Sequence, residues 1–174
     1  MEALPDEILL KILGNIECVY TLLDSVPLVC KRWHDLSSDQ SAWRSAEFDV
    51  YVGDNRIFKN DARVLLRARS LKELAIHHIF GSNGGVPIGV AFSRCKAPIR
   101  QLMLFGFHSE NKTNGDAIAH LLTKNQTCLQ VLHTSFSLLK SCSKVNFQFP
   151  SLMELAFTHG SPDPTFYFGT YTTF

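Results

Sequence analysis

Apolar residues recur along the first 47 positions with the period of amphipathic helices, and beyond them with the alternation of strands. Leu4, Pro5, Asp6 and Glu7 read as a helix start, with proline in the first turn and two acids at the positive dipole end. Ile8, Leu9, Ile12, Leu13 and Ile16 then fall on one face, which ends near Gly14 or Asn15. A second helix is expected over Val19–Ser25, with Leu22, Leu23 and Val26 inward. Pro27 restarts the chain, and a third helix over Leu28–Leu36 carries Val29, Trp33 and Leu36 as one stripe. Ser38 and Asp39 can cap a last short helix that bears Trp43, itself read as core. Helices this short make little core of their own. Two outcomes stay open: the rest of the chain covers their apolar residues, or another protein does.

Phe48–Val52 alternates like a strand and ends at Gly53, Asp54 and Asn55. A helix over Ala62–Ser70, capped by Asn60 and Asp61, follows. A strand-like frame then recurs as Leu71, Leu74, Ile76; as Ile99, Leu102, Leu104; weakly as Leu129, Leu132, Thr134; and as Leu152, Leu155, Phe157. The steps between first positions are 28, 30 and 23 residues. Between the strands, helices are expected near Asp116–Lys124, capped by Asn114, and over Leu138–Ser143, while Gly81–Gly89 reads as loop. Each such unit buries its apolar side only by stacking on neighbours.

At this point two resemblances become specific. Leu4, Pro5, Glu7, Ile8 and Ile12, then Leu22 and Leu23, then Val29, Cys30, Trp33 and Leu36, then Trp43, resemble an F-box in order and spacing. The chain departs where Cys18–Thr21 replaces the usual acid and where Pro27 precedes the Val29, Cys30 pair. The later frame resembles a degenerate leucine-rich repeat, whose period is about 20–29 residues. Ile79, Phe107, Ser137 and Gly160 stand where the repeat's asparagine or cysteine is expected, so its usual ladder is missing. The fold expected is therefore α+β: a small N-terminal three-helix F-box at 1–47, then a short degenerate leucine-rich-repeat α/β solenoid at 48–174, of about four to five units. An ordinary α/β domain with short parallel strands is the competing reading.

The resemblance implies a non-catalytic substrate-recognition subunit of an SCF (Skp–cullin–F-box) ubiquitin ligase. Leu4, Pro5, Ile8 and Ile12, with Val29, Cys30 and Trp33, would dock on the Skp adaptor and through it on the cullin–RING ligase. A protein substrate would lie against the residues flanking the strand leucines: Glu73, Ala75, His77, Gln101, Met103, Phe105, Val131, His133, Ser135, Glu154, Ala156 and Thr158. The alternative is a Skp-binding scaffold or decoy with no degradation target. A third reading is a nucleic-acid binder using six bases at Arg56, Lys59, Arg63, Arg67, Arg69 and Lys72.

Composition narrows these choices. The 174 residues are 45% hydrophobic and 19% charged, which suits a packed core and excludes a disordered chain. The net charge of +1 argues against binding nucleic acid by bulk electrostatics, and no aromatics interleave with the basic run. Residues 1–48 carry eight acids and four bases, and residues 49–174 eight acids and 13 bases, so the sign changes near the expected boundary. Five cysteines without a CxxC pattern point to reduced thiols and a cytoplasmic or nuclear setting. The start lacks a basic leader, and no apolar run reaches the roughly 18 residues a membrane span needs. His77 and His78 point to opposite faces of a strand and cannot share one metal, and no phosphate loop or hydrolase motif is present. No cofactor is expected. Thr165–Phe174 is aromatic and nearly uncharged where a solenoid needs a polar cap, which suggests a fragment of a longer repeat protein or a lost tail.

Overall fold

A computed structural model describes residues 4–79, 85–107, 112–142 and 147–157. The N-terminal part contains two α-helices, α1 (Asp6–Leu13) and α2 (Lys31–Leu36), joined by irregular turns. α1 starts one residue after Pro5, whose carbonyl accepts from the amides of Ile8 and Leu9 at 3.1 Å each. Its apolar residues divide: Leu9 and Leu13 are buried, whereas Ile8 and Ile12 face out. The expected second α-helix is instead a π turn at Thr21–Ser25 followed by a 3-10 turn at Val26–Leu28. Pro27 has no amide to give to the carbonyl of Leu23, so an α ladder cannot run through it. Its inward residues Leu22, Leu23 and Val26 are nevertheless buried as expected. The third helix begins at Lys31 rather than Leu28, with Cys30 extended at φ −167°. Val29 therefore lies outside it, and the stripe of Val29, Trp33 and Leu36 does not form. A 3-10 turn at Gln40–Trp43 is capped by Asp39, which accepts from the Ser41 amide at 2.7 Å. Trp43 is core, and its indole N–H donates to the carbonyl of Ser37 at 2.7 Å.

Among the described residues seven strands follow, interleaved with four helices: β1 (Glu47–Gly53), β2 (Arg56–Ile57), α3 (Lys59–Arg67), β3 (Leu71–Ile79), β4 (Val86–Pro87), α4 (Ile88–Arg94), β5 (Ile99–Phe105), α5 (Lys112–Asn125), β6 (Val131–Thr134), α6 (Phe136–Ser141) and β7 (Glu154–Phe157). They form one sheet in the order β4-β2-β1-β3-β5-β6-β7. β1, β3, β5, β6 and β7 are parallel neighbours in chain order. The sheet closes at one edge with a hairpin, because Asp54 and Asn55 take φ of 46° and 62°, the left-handed pair that a tight I′-type turn requires.

The recurring frame is in register. Phe48 lies opposite Leu74, Leu74 opposite Leu102, Leu102 opposite Leu132, and Leu132 opposite Leu155. Val50, Ile76 and Leu104 form a second buried column. The helices supply Val64, Leu65, Ile88, Phe92, Ile118, Leu121, Leu122 and Leu138 to the same core. Asn125 takes up part of the backbone satisfaction that a repeat asparagine would give. Its buried side chain accepts from the Ile99 amide and donates to the Leu121 carbonyl, both at 2.9 Å.

Several boundaries differ from the sequence reading. α3 begins at Lys59, so Asn60 and Asp61 lie inside its first turn and cap nothing. Asp61 is buried there and accepts from the Tyr20 hydroxyl at 3.1 Å. The glycine-rich stretch was expected to be loop to residue 89, yet α4 begins at Ile88, on the apolar run Ile88, Ala91, Phe92. α5 begins at Lys112, ahead of the cap expected at Asn114. α6 begins at Phe136, with the Ser135 hydroxyl accepting from the Leu138 amide. Thr158, Gly160 and the aromatic stretch 165–174 lie outside the described residues.

The N-terminal helices and the sheet share one core. A continuous set of buried residues runs from Leu13, Leu22 and Trp43 through Val50 and Leu74 to Cys142. The Glu47 amide donates to the Glu17 carbonyl at 2.9 Å, and Arg63 grips Asp24 with two bonds of 2.7 and 2.8 Å. Tyr20 also packs edge-on against Phe48, at 6.0 Å between centroids.

Two substitutions check this packing by thermal or urea unfolding. A methyl group at Gly14 would sit 2.8 Å from both the Arg44 Nε and the Ser41 carbonyl, so Gly14→Ala is expected to cost about 1–3 kcal/mol. Thr134 is fully buried with a hydroxyl that has no partner among the described residues, so the near-isosteric Thr134→Val is expected to stabilise by about 1–2 kcal/mol.

Candidate functional site

The first candidate surface is apolar. Leu4, Ile8 and Ile12 project outward from the start and face of α1. Leu28 and Val29 protrude from the turn before α2, 84% and 60% exposed, and Pro5 and Cys30 are exposed beside them in sequence. Trp33 is half-buried and packs on the shared core. Arg32 ties the two starts together, donating to Asp6 at 2.7 Å and to the Leu4 carbonyl. Large apolar side chains left in water this close in sequence are the exception that calls for a cover. Leu28 is the member the sequence reading missed. A helix through it would have hidden it among neighbours, and the proline-bearing turn exposes it instead.

The second candidate surface is the sheet face opposite the buried leucine columns. Residues two apart along each strand share it. One row runs Glu47, Glu73, Gln101, Val131, Glu154, and the next Asp49, Ala75, Met103, His133, Ala156. The row above brings Tyr51, His77 and Phe105 together. Their rings stack, Tyr51 on His77 at 5.0 Å and 18°, and His77 on Phe105 at 4.8 Å and 17°. His77 lies 3.2 Å from the Asp49 carboxylate, and His133 lies 2.8 Å from that of Glu154. The expected residues Glu73, His77, Gln101, Met103, Phe105, Val131, His133 and Glu154 thus share one face. Asp49 and Tyr51 join them although the sequence reading assigned them no role. The signal was present in the alternation of β1, one strand before the repeat frame was taken to begin.

Glu73 is the strained member. It is half-buried, and its carboxylate has no hydrogen bond or ion pair among the described residues. Burial, and then the neighbouring carboxylates of Glu47 and Asp49, push its pKa above the usual glutamate value, against the pull of Lys72 and His133.

The basic run is largely spent inside the structure. Arg63 is paired with Asp24, Lys72 with Glu47, and Arg56 donates to the Gly85 carbonyl at 2.7 Å. Lys59, Arg67 and Arg69 remain exposed, too few for a nucleic-acid track. All five cysteines are free. Among the described residues there is no cluster of ligating side chains suited to a metal, and no helix is long and apolar enough to cross a membrane.

This arrangement defines the class: a mixed α/β protein whose helical N-terminus shares its core with a mostly parallel sheet. Residues 1–49 match the family model described as F-box-like, and the chain carries an F-box-like domain there. Comparison with curated proteins and with solved structures finds no match. F-box domains as a family are Skp-binding adaptors of SCF complexes and are typically non-catalytic.

The strain at Glu73 has a testable sign. A carboxyl whose pKa is raised by folding makes the protein lose stability as pH climbs from the unfolded pKa through the folded one. Glu73→Gln removes that loss. The variant is expected to be more stable than the wild type at pH 7, with the gap closing as pH falls through the carboxylate range, as read by urea titration at several pH values.

Proposed function

We propose that this chain is a non-catalytic adaptor of an SCF ubiquitin ligase, docking on the Skp adaptor through residues 1–47 and holding a protein target on the sheet of residues 48–174. The observation that carries the first half is the divided α1. Leu9 and Leu13 complete the protein's own core, so the exposure of Leu4, Ile8, Ile12, Leu28 and Val29 has no internal purpose. Pro5, Cys30 and the outer edge of Trp33 complete the proposed docking surface. Burying such side chains at an interface is worth about 1.5–3 kcal/mol each. The adaptor itself contributes no chemistry. It acts by bringing a target's lysine near a conjugating enzyme, where proximity replaces a bimolecular encounter. A cytoplasmic or nuclear setting, with the thiols reduced, belongs to this reading.

Three features support reading the second half as degenerate leucine-rich repeats. The parallel strands follow chain order without reversal, the leucine positions are in register, and the face opposite the leucines is polar and aromatic. A doubly wound α/β domain would instead reverse its strand order and cover both faces with helices. The target would touch Glu73, His77, Gln101, Met103, Phe105, Val131, His133 and Glu154.

The test is titration of purified Skp adaptor against the full chain. Because Ile8, Ile12 and Leu28 are exposed, their alanine variants are expected to keep wild-type unfolding curves while each weakens binding about tenfold or more. Wild-type affinity in the triple variant, or no binding by the folded wild type, removes the ligase reading.

A further inference from the structure

The sheet face that carries no helix among the described residues has a chemistry of its own. Its upper row is a three-ring stack, Tyr51–His77–Phe105, in which Tyr51 remains 45% exposed. Its lower rows carry four carboxylates, Glu47, Asp49, Glu73 and Glu154. Between them lies a floor of small residues, with Ala75 and Ala156 buried and Met103 beside Ala75. Two strand residues span roughly 6.7 Å, so ring row and Glu73 row are roughly 13 Å apart, within reach of a few residues of extended peptide.

The charges on this face do not balance. Lys72 reaches Glu47 from below, and Arg56, opposite Gly53 at the hairpin edge, is held by the Gly85 carbonyl. The remaining basic groups that face the carboxylates are His77, against Asp49, and His133, against Glu154. Glu73, on the strand next to Glu47 and Asp49, has no ion-pair partner among the described residues.

We propose that this face receives an extended, arginine- or lysine-bearing segment of a protein partner, with a cationic head at Glu73 and a second cation or its stem against the Tyr51–His77–Phe105 stack. Aromatic faces attract cations, a guanidinium also stacks flat on a ring, and a half-buried carboxylate beside two others is relieved by a cation. Complementarity of charge decides the occupant. An acidic segment would meet four carboxylates, and a purely apolar one would leave Glu73 desolvated without a partner. This assignment rests on reading the sheet as the target-binding half, and it names the chemistry of the target.

The experiment measures fluorescence anisotropy of the full chain, in complex with the Skp adaptor, against an arginine–serine peptide and its glutamine–serine and glutamate–serine counterparts. The arginine peptide is expected to bind about tenfold or more tightly than either counterpart. Glu73→Gln and Tyr51→Ala should each remove most of that preference, and Glu73→Lys should turn it toward the glutamate peptide, while Arg67→Ala on α3 leaves it unchanged. Equal binding of the three peptides, or a preference untouched by the Glu73 and Tyr51 variants, overturns the proposal. So does preferential binding of a peptide spanning residues 158–174, which would make the occupant this chain's own segment. Photo-crosslinking from Met103 in cell extract separates the two layers. Capture of a target whose crosslinked segment lacks basic residues overturns the cationic assignment and leaves the sheet as the target-binding half. Target capture that is indifferent to the sheet removes both.

Discussion

Everything else in this protein depends on the joint between its first helices and the edge of its sheet. Trp43, Leu13 and Leu22 belong to the same buried set as Val50 and Leu74, so neither part closes its core without the other. A 45-residue helical module alone would bury too little apolar surface to be secure. Here the sheet supplies the missing cover. Polar contacts at the joint are specific: Tyr20 bonds Asp61, Arg63 holds Asp24, and Glu47 continues the backbone bonding from Glu17. Burial raises the pKa of Asp61, and it raises that of Tyr20 to about 12, so the phenol stays a donor across the physiological range. The consequence for function is geometric. The outward face of α1 and the polar face of the sheet are held in one fixed relation.

The same joint explains why the apolar strip can be read as a docking surface. In an isolated module, any outward leucine is ambiguous, because the missing cover could be intramolecular. Once the core is complete, Leu4, Ile8, Ile12, Leu28 and Val29 are what is left. The sheet shows a parallel logic. Parallel strands are usually buried on both faces. These keep helices against the leucine columns, and the other face is free to alternate polar and aromatic residues.

Much of this was legible in the sequence, for identifiable reasons. The leucine frame located β3, β5, β6 and β7 because a buried strand face leaves a two-residue signature, and the stacked columns confirm its spacing. Gly53, Asp54 and Asn55 marked the end of β1, although the hairpin that the positive φ of Asp54 and Asn55 builds to β2 was not read from them. The misreadings have separate causes. The start of α3 was drawn from Asn60 and Asp61, but Phe58 precedes it without any side-chain cap, and packing fixes that end instead; α4 was not expected, because the glycine-rich stretch before it read as loop. The split of α1 into inward and outward residues could not be read from periodicity, since Ile8 and Leu9 look alike until the sheet edge is in place. The aromatic stack was out of reach for a similar reason. Tyr51, His77 and Phe105 are distant in sequence, and only strand register brings their rings to about 5 Å.

The central claim is that one apolar strip docks an adaptor while the sheet face stays open. Hydrogen–deuterium exchange of the full chain with and without the Skp adaptor tests it directly. The account predicts slowed exchange confined to residues 4–13 and 28–33, with β3 and β5 unchanged. Slowed exchange across the sheet, or none at α1, would contradict it.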